Sequence, residues 1–168
     1  TIPFADAAID GQNRLHVIWV DRGAAGQPIL YRVLDLGSGT WLGPATTVDS
    51  TNLSGYGGIP GQGGISIALD VDGQPLVAYT VAGFQTHIRT QQRGASGWEA
   101  AGDPLQVNGA WVWHPALALG PDGVWYLAAY DATNRAILAA RDTGNGWSEP
   151  ETVAYDVLGP ENIDQSPS

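Results

Sequence analysis

Apolar residues alternate with polar or small ones along many short stretches of this chain, and no stretch keeps a helical spacing for more than about one turn. Alternation of period two sends successive side chains to opposite faces of a strand. The stretches fall into three copies of one outline. Each copy opens on a strand rich in small residues: Asp6-Ala7-Ala8-Ile9, Ile65-Ser66-Ile67-Ala68-Leu69 and Pro115-Ala116-Leu117-Ala118-Leu119. A turn marked by Gly11, Gly73 or Gly123 follows, then a strand closing on an aromatic at Trp19, Tyr79 or Tyr130. After a polar loop comes a third strand, Ile29 to Leu34, Thr86 to Gln91 and Ala136 to Arg141. A Gly-rich turn, a tryptophan (Trp41, Trp98, Trp147) and a short strand ending in Val48, Val107 or Val153 complete the copy.

Four short strands repeated at a period of about 50 residues predict propeller blades. A lone four-stranded sheet cannot cover both its faces, so blades stack face to face. Small residues on the first strand suit the crowded central axis, and each tryptophan is expected to plug the gap between neighbouring blades. The predicted fold is all-β, with three four-stranded antiparallel blades forming half of a six-bladed ring. Blade 1 is assigned to residues 1–48, a long Gly-rich loop to 49–64, blade 2 to 65–107, blade 3 to 113–153 and a tail leading toward a next blade to 154–168.

Composition narrows the partners. Net charge is −10, all basic residues are Arg, and no cluster of them offsets the acidic average, which argues against nucleic acid. The longest apolar run, Val124 to Tyr130, is far short of the roughly 18 residues of a membrane span, so no membrane partner is expected. There is no Cys, hence no disulfide framework or thiolate metal site, and no initiating Met or leader pattern. A mature extracellular or secreted product, or a piece of a longer chain, is the expectation.

The stretch "ARDTGNGWSEPETV" (Ala140 to Val153) resembles the Asp-box repeat of sialidase-like propellers, S-x-D-x-G-x-T-W, at Asp142, Gly144 and Trp147. "LDLGSGTWLGPATTV" matches at Asp35, Gly37 and Trp41 with one extra residue, and "QRGASGWEAAGDPLQV" keeps the Gly turn and Trp98. This resemblance implies a structural turn remote from any active site. The sialidase signature Arg-Ile-Pro is echoed only by Gly58-Ile59-Pro60, and without the Arg the carboxylate clamp loses a bidentate contact. No catalytic residues carry over.

The most site-like stretch is "NGAWVWHP", where Trp111, Trp113 and His114 precede an inner strand whose start should face the channel mouth. Tryptophan faces beside polar groups suit stacking on a sugar ring; packing between blades is the plainer role. Asp21 with Arg22, and Asp131 with Arg135, occupy equivalent loops that suit an acidic or hydroxylated ligand, or simple turn contacts. Tyr56 is the contact residue expected from the long loop, which also carries an Asn52 sequon. Asp70-x-Asp72-Gly73 lacks the later ligands of a calcium loop, and His16 and His87 have no partner spaced for a metal, so both read as packing or turn elements. Glu161 and Asp164 are a carboxylate pair in a Gly/Pro-interrupted tail, where solvent exposure is the expectation. No cofactor is expected.

The reading is a non-catalytic binding module, most plausibly for carbohydrate, working as part of a closed propeller. Two alternatives stay open: a fragment of a sialidase-like glycoside hydrolase, and a structural self-assembly unit. The expected partner besides carbohydrate is another copy of the chain or further blades of a parent chain.

Overall fold

The computed structural model describes residues 5–21, 23–24, 26–50, 64–81, 86–142 and 144–155. Blade 1 holds β1 (Ala5–Ile9), β2 (Arg14–Val20), β3 (Ile29–Asp35) and an outer strand in two pieces, β4 (Thr40–Trp41) and β5 (Thr46–Asp49), both paired to β3. Blade 2 runs β6 (Ile65–Leu69), β7 (Pro75–Val81), β8 (His87–Gly94) and β9 (Gly97–Leu105). Blade 3 runs β10 (Val112–Leu119), β11 (Trp125–Asp131), β12 (Ala136–Asp142) and β13 (Glu151–Ala154). All neighbours within a blade are antiparallel, as the repeat predicts.

Prolines sit where a lost N–H is tolerated. Pro75 opens β7, Pro104 lies on the edge strand β9, and Pro115 falls in the bulge between Trp113 and Ala116. Two details depart from expectation. The left-handed turn position of the first hairpin is Asn13 (φ 60°), equivalent to Gly73 and Gly123 (both φ 77°), and Gly11 has no such φ. Asn tolerates this region because its short polar side chain limits the clash. The outer strand of blade 2 also starts at the turn and ends at Leu105, before the predicted Val107.

Alternate residues of the middle strands face opposite neighbours. Ile18, Ile29 and Tyr31 of blade 1 meet Val77, Tyr79 and Val81 of blade 2 in one core. Ala78, Ile88 and Leu105 on the other face of blade 2 meet Val112, Leu127 and Leu138 of blade 3 in a second. A fully buried aliphatic side chain contributes roughly 1.5–3 kcal/mol, so these two seams hold the blades together. The inner strands of neighbouring blades are tied by side chains: Asp6 Oδ2 accepts from the Ile67 N–H (2.9 Å), and Ser66 Oγ from the Leu117 N–H (3.1 Å).

The three tryptophans share one register, Trp41 opposite Leu34, Trp98 opposite Arg93 and Trp147 opposite Asp142. Two are plugs, each reaching into the preceding blade. Trp98 stands edge-on to Tyr31 of blade 1 (5.1 Å, 80°), and Trp147 Nε1 donates to Ala101 O of blade 2 (3.0 Å). The third departs from expectation. Trp41 is 43% exposed, with the Arg32 guanidinium 4.7 Å above its ring.

Trp147→Ala is expected to lower unfolding stability by about 2–4 kcal/mol in urea titrations, less than a fully buried Trp because the ring is half-buried. Gly73→Ala forces a Cβ into left-handed backbone 3.3 Å from Asp10 Cβ, and should cost about 1–2 kcal/mol. Asn13→Gly should stay within about 0.5 kcal/mol of the parent.

Candidate functional site

The end of the blades where β10 begins carries the aromatic cluster predicted from sequence. Trp111 and Trp113 lie edge to face (6.2 Å, 76°), and Trp113 meets His114 in the same way (6.5 Å, 88°). Both indoles are half-buried and His114 is exposed. The bulge after Trp113 sets their orientation, with His114 in the left-handed region at φ 57°. Gly64, just before β6, approaches so closely that a Cβ there would lie 3.1 Å from His114 Cα.

The loop after β11 pins this cluster. The Trp111 N–H donates to Thr133 Oγ1 (3.0 Å), and the Ala132 N–H to Trp111 O (2.9 Å). Asp131 is 1% exposed and holds that loop in shape. Its Oδ1 accepts from the N–H groups of Thr133 (2.9 Å) and Asn134 (3.2 Å), and its Oδ2 from Asn134 Nδ2 (2.7 Å). Arg135 is exposed at the end of the same loop, at φ 53°. Thus the structure brings Trp111, Trp113, His114, Asp131 and Arg135 to one loop cluster, with Asp131 as the turn's anchor. Asp21 belongs to the equivalent loop of blade 1, where its Oδ1 accepts from the Gly23 N–H (3.0 Å). Arg22, Tyr56, the Asn52 sequon, Gly58-Ile59-Pro60, Glu161 and Asp164 lie outside the described residues. Among the described residues, no group of three or more His, Asp and Glu side chains is arranged to hold a metal.

The opposite end carries a polar network that sequence reading took for simple packing. Asp10, 1% exposed at its side chain, binds Arg14 through Nε (2.6 Å) and Nη2 (2.5 Å). Its other oxygen accepts from the backbone N–H groups of Gln12 and Arg14 (both 2.9 Å). His16 Nε2 lies 3.2 Å from Asp10 Oδ2, and the Tyr31 hydroxyl 2.7 Å from His16 Nδ1. A neutral imidazole protonated at Nε2 satisfies both, donating to Asp10 and accepting from Tyr31. Arg93 of blade 2 caps the chain, its guanidinium 5.1 Å from the Tyr31 ring centre. A cavity of about 350 Å³ opens beside these groups, with Gln74 also in its lining. The available signal was the spacing of Asp10, Arg14 and His16 around a hairpin, which lets one carboxylate reach both.

Burial alone would raise the Asp10 pKa, but the Arg14 guanidinium, the turn N–H groups and His16 outweigh it and hold the carboxyl well below its usual range. Burial pushes His16 below its ordinary value, and Asp10 offsets this only in part. A second buried pair joins blades 1 and 2, where the Tyr79 hydroxyl donates to Asp49 and Arg89 reaches Asp103 (3.1 Å) and Asp49 (3.7 Å). Burial and the adjacent carboxylate push the Tyr79 phenol up, so the neutral hydroxyl is the form that donates to Asp49.

A depressed His16 means that the unfolded chain binds more protons as pH falls through about 6.5. Stability should therefore be level above that pH and decline below it. The depressed Asp10 adds a second decline below about pH 4, where the unfolded carboxyl protonates first. Asp10→Asn, followed by chemical denaturation across pH 3–8, should cost about 2 kcal/mol at neutral pH and flatten the lower limb.

No protein-family model matches the chain, and no curated protein matches it. Solved structures do. A polysaccharide lyase of family PL25, an ulvan lyase bound to -[GlcA(1-4)Rha3S]-, is 14% identical over 86% of this chain and 36% of its own, with a TM-score of 0.67. An α-L-arabinofuranosidase from Fusarium graminearum is 17% identical over 91% of this chain and 48% of its own (TM-score 0.59). A fucose lectin from Kordia zhangzhouensis in complex with methyl-fucoside is 20% identical over 90% of this chain and 98% of its own (TM-score 0.52). The chain thus spans about a third to a half of the two enzymes and nearly all of the lectin. At these identities the likeness speaks for the fold, and with the stacked sheets it makes this chain a three-bladed section of a β-propeller.

Proposed function

We propose that this chain is a non-catalytic carbohydrate-binding section of a propeller, with Trp111 and Trp113 as the stacking surface. The observation that carries the reading is the edge-to-face indole pair beside His114, held on a hydrogen-bonded loop cluster. A half-buried indole offers a flat apolar face to the C–H side of a sugar ring at little entropy cost, because its own loop is already ordered. His114 is an exposed polar group beside them, and Arg135 is exposed at the end of the loop that holds Trp111; both suit ring hydroxyls. The ligands named for the similar structures, a methyl-fucoside and a GlcA–Rha3S segment, lend this reading support by analogy of fold. The sialidase-like Asp-box resemblance fits it too. Asp142 Oδ1 accepts from the N–H groups of Gly144 (2.8 Å) and Gly146 (3.1 Å), and Asp35 Oδ1 from that of Ser38 (2.8 Å), so both carboxylates tie turns. An extracellular or secreted location belongs to the same proposal and is compatible with a glycan ligand.

The enzyme alternative needs a carboxylate pair free to act on a glycosidic bond. The buried carboxylates Asp10 and Asp131 and the half-buried Asp49 are each engaged in structural contacts.

On a glycan array, the parent chain should retain a defined set of sugars. Trp111→Ala or Trp113→Ala should weaken that binding at least tenfold, about 1.4 kcal/mol, while circular dichroism stays unchanged. Equal retention by both variants overturns the site. Fluorogenic sialosides and other glycosides should show no turnover; hydrolysis that persists through purification overturns the non-catalytic reading.

A further inference from the structure

The outward faces of the end blades repeat the pattern of the buried seams. In blade 1, Leu15, Val17 and Trp19 hold the positions that Pro75, Val77 and Tyr79 hold in blade 2. The blade 2 residues pack against the preceding blade and are buried, whereas the blade 1 residues are half-buried. In blade 3, Tyr126, Ala128 and Ala139 stand where His16, Ile18 and Tyr31 stand in blade 1, and Tyr126 is 41% exposed. A cavity of about 290 Å³ lies on this face, lined by Tyr126, Ala139, Ala140, Arg141, Ser148 and Glu151.

This cavity occupies the place in blade 3 that an incoming tryptophan fills in blades 1 and 2. Trp98 stands over Tyr31, whose counterpart in blade 3 is the smaller Ala139. Trp147 lies against Gly102, which pairs with Thr90, the counterpart in blade 2. Trp41 has the same register on its blade as those two plugs and sits exposed on the opposite open face. Charge fits as well: Arg32 rides on Trp41, and Glu151 lines the cavity.

We propose that a second copy of this chain closes the ring, each copy seating its Trp41 in the blade 3 cavity of the other and setting its Arg32 toward the other's Glu151. One chain carries both the cavity and its filler, so head-to-tail contacts need no foreign partner. Two copies bring six blades, within the four to eight that close a propeller, and closure removes both open faces at once. The assembly goes beyond the sugar-binding reading and does not depend on it. A two-fold ring would carry the Trp111–Trp113 cluster twice on one face, which raises avidity for a multivalent glycan without any new contact.

The test is light scattering coupled to gel filtration on the 168-residue chain at micromolar concentration, beside two variants on opposite faces. The parent should run at twice 17.6 kDa. Trp41→Glu, at an exposed position, and Ala139→Trp, which fills the cavity, should each weaken association at least tenfold and run as monomers with unchanged circular dichroism. Because the variants lie on different blades, misfolding of one leaves the other to decide. A parent monomer, an open-ended polymer, or a dimer that a well-folded variant of either kind leaves intact overturns the proposal.

Discussion

The structure depends on one constraint: each blade is a sheet whose two faces are both apolar, so each face must meet another blade. In blade 2 this is satisfied twice, and β7 is buried along its whole length. The strand's alternation serves two cores at once, with Val77 and Tyr79 turned to blade 1 and Ala78 to blade 3.

Polar groups settle the geometry that apolar contact leaves loose. Apolar faces can slide, but the Asp10–His16–Tyr31 chain and the Tyr79–Asp49 pair are satisfied only when particular atoms meet. Both bear on the blade 1–blade 2 seam, to which Arg93 and Tyr79 come from blade 2. The seam between blades 2 and 3 uses instead the Trp147 indole, bonded to Ala101 O, and the Ser66 hydroxyl, which accepts from the Leu117 N–H. The two neighbouring interfaces thus share one backbone plan and use different chemistry to hold it.

Polar ties of this kind also support the proposed loop-borne binding surface. Trp111 is tied through its backbone N–H and C=O to the loop after β11, and that loop is in turn shaped by the buried Asp131 carboxylate. A ligand meeting such a surface orders little that is not already ordered.

The sequence by itself determined the strands, their antiparallel order, the count of three blades and the common register of the three tryptophans. These follow from period-two alternation and turn residues, which act over a few neighbouring positions. It also marked Trp111, Trp113 and His114 as neighbours, since adjacency in the chain nearly guarantees proximity. Only the tertiary structure decided the rest. Asn13, not Gly11, takes the left-handed turn position because the hairpin register, set by pairs such as Leu15 with Ile9, places the turn there. Tyr31 reaches His16, and Tyr79 reaches Asp49, across separations of 15 and 30 residues that no local pattern encodes. Trp41 and Trp98 look alike as sequence, yet one plugs a seam and the other stands exposed, because burial depends on whether a preceding blade is there to receive the ring.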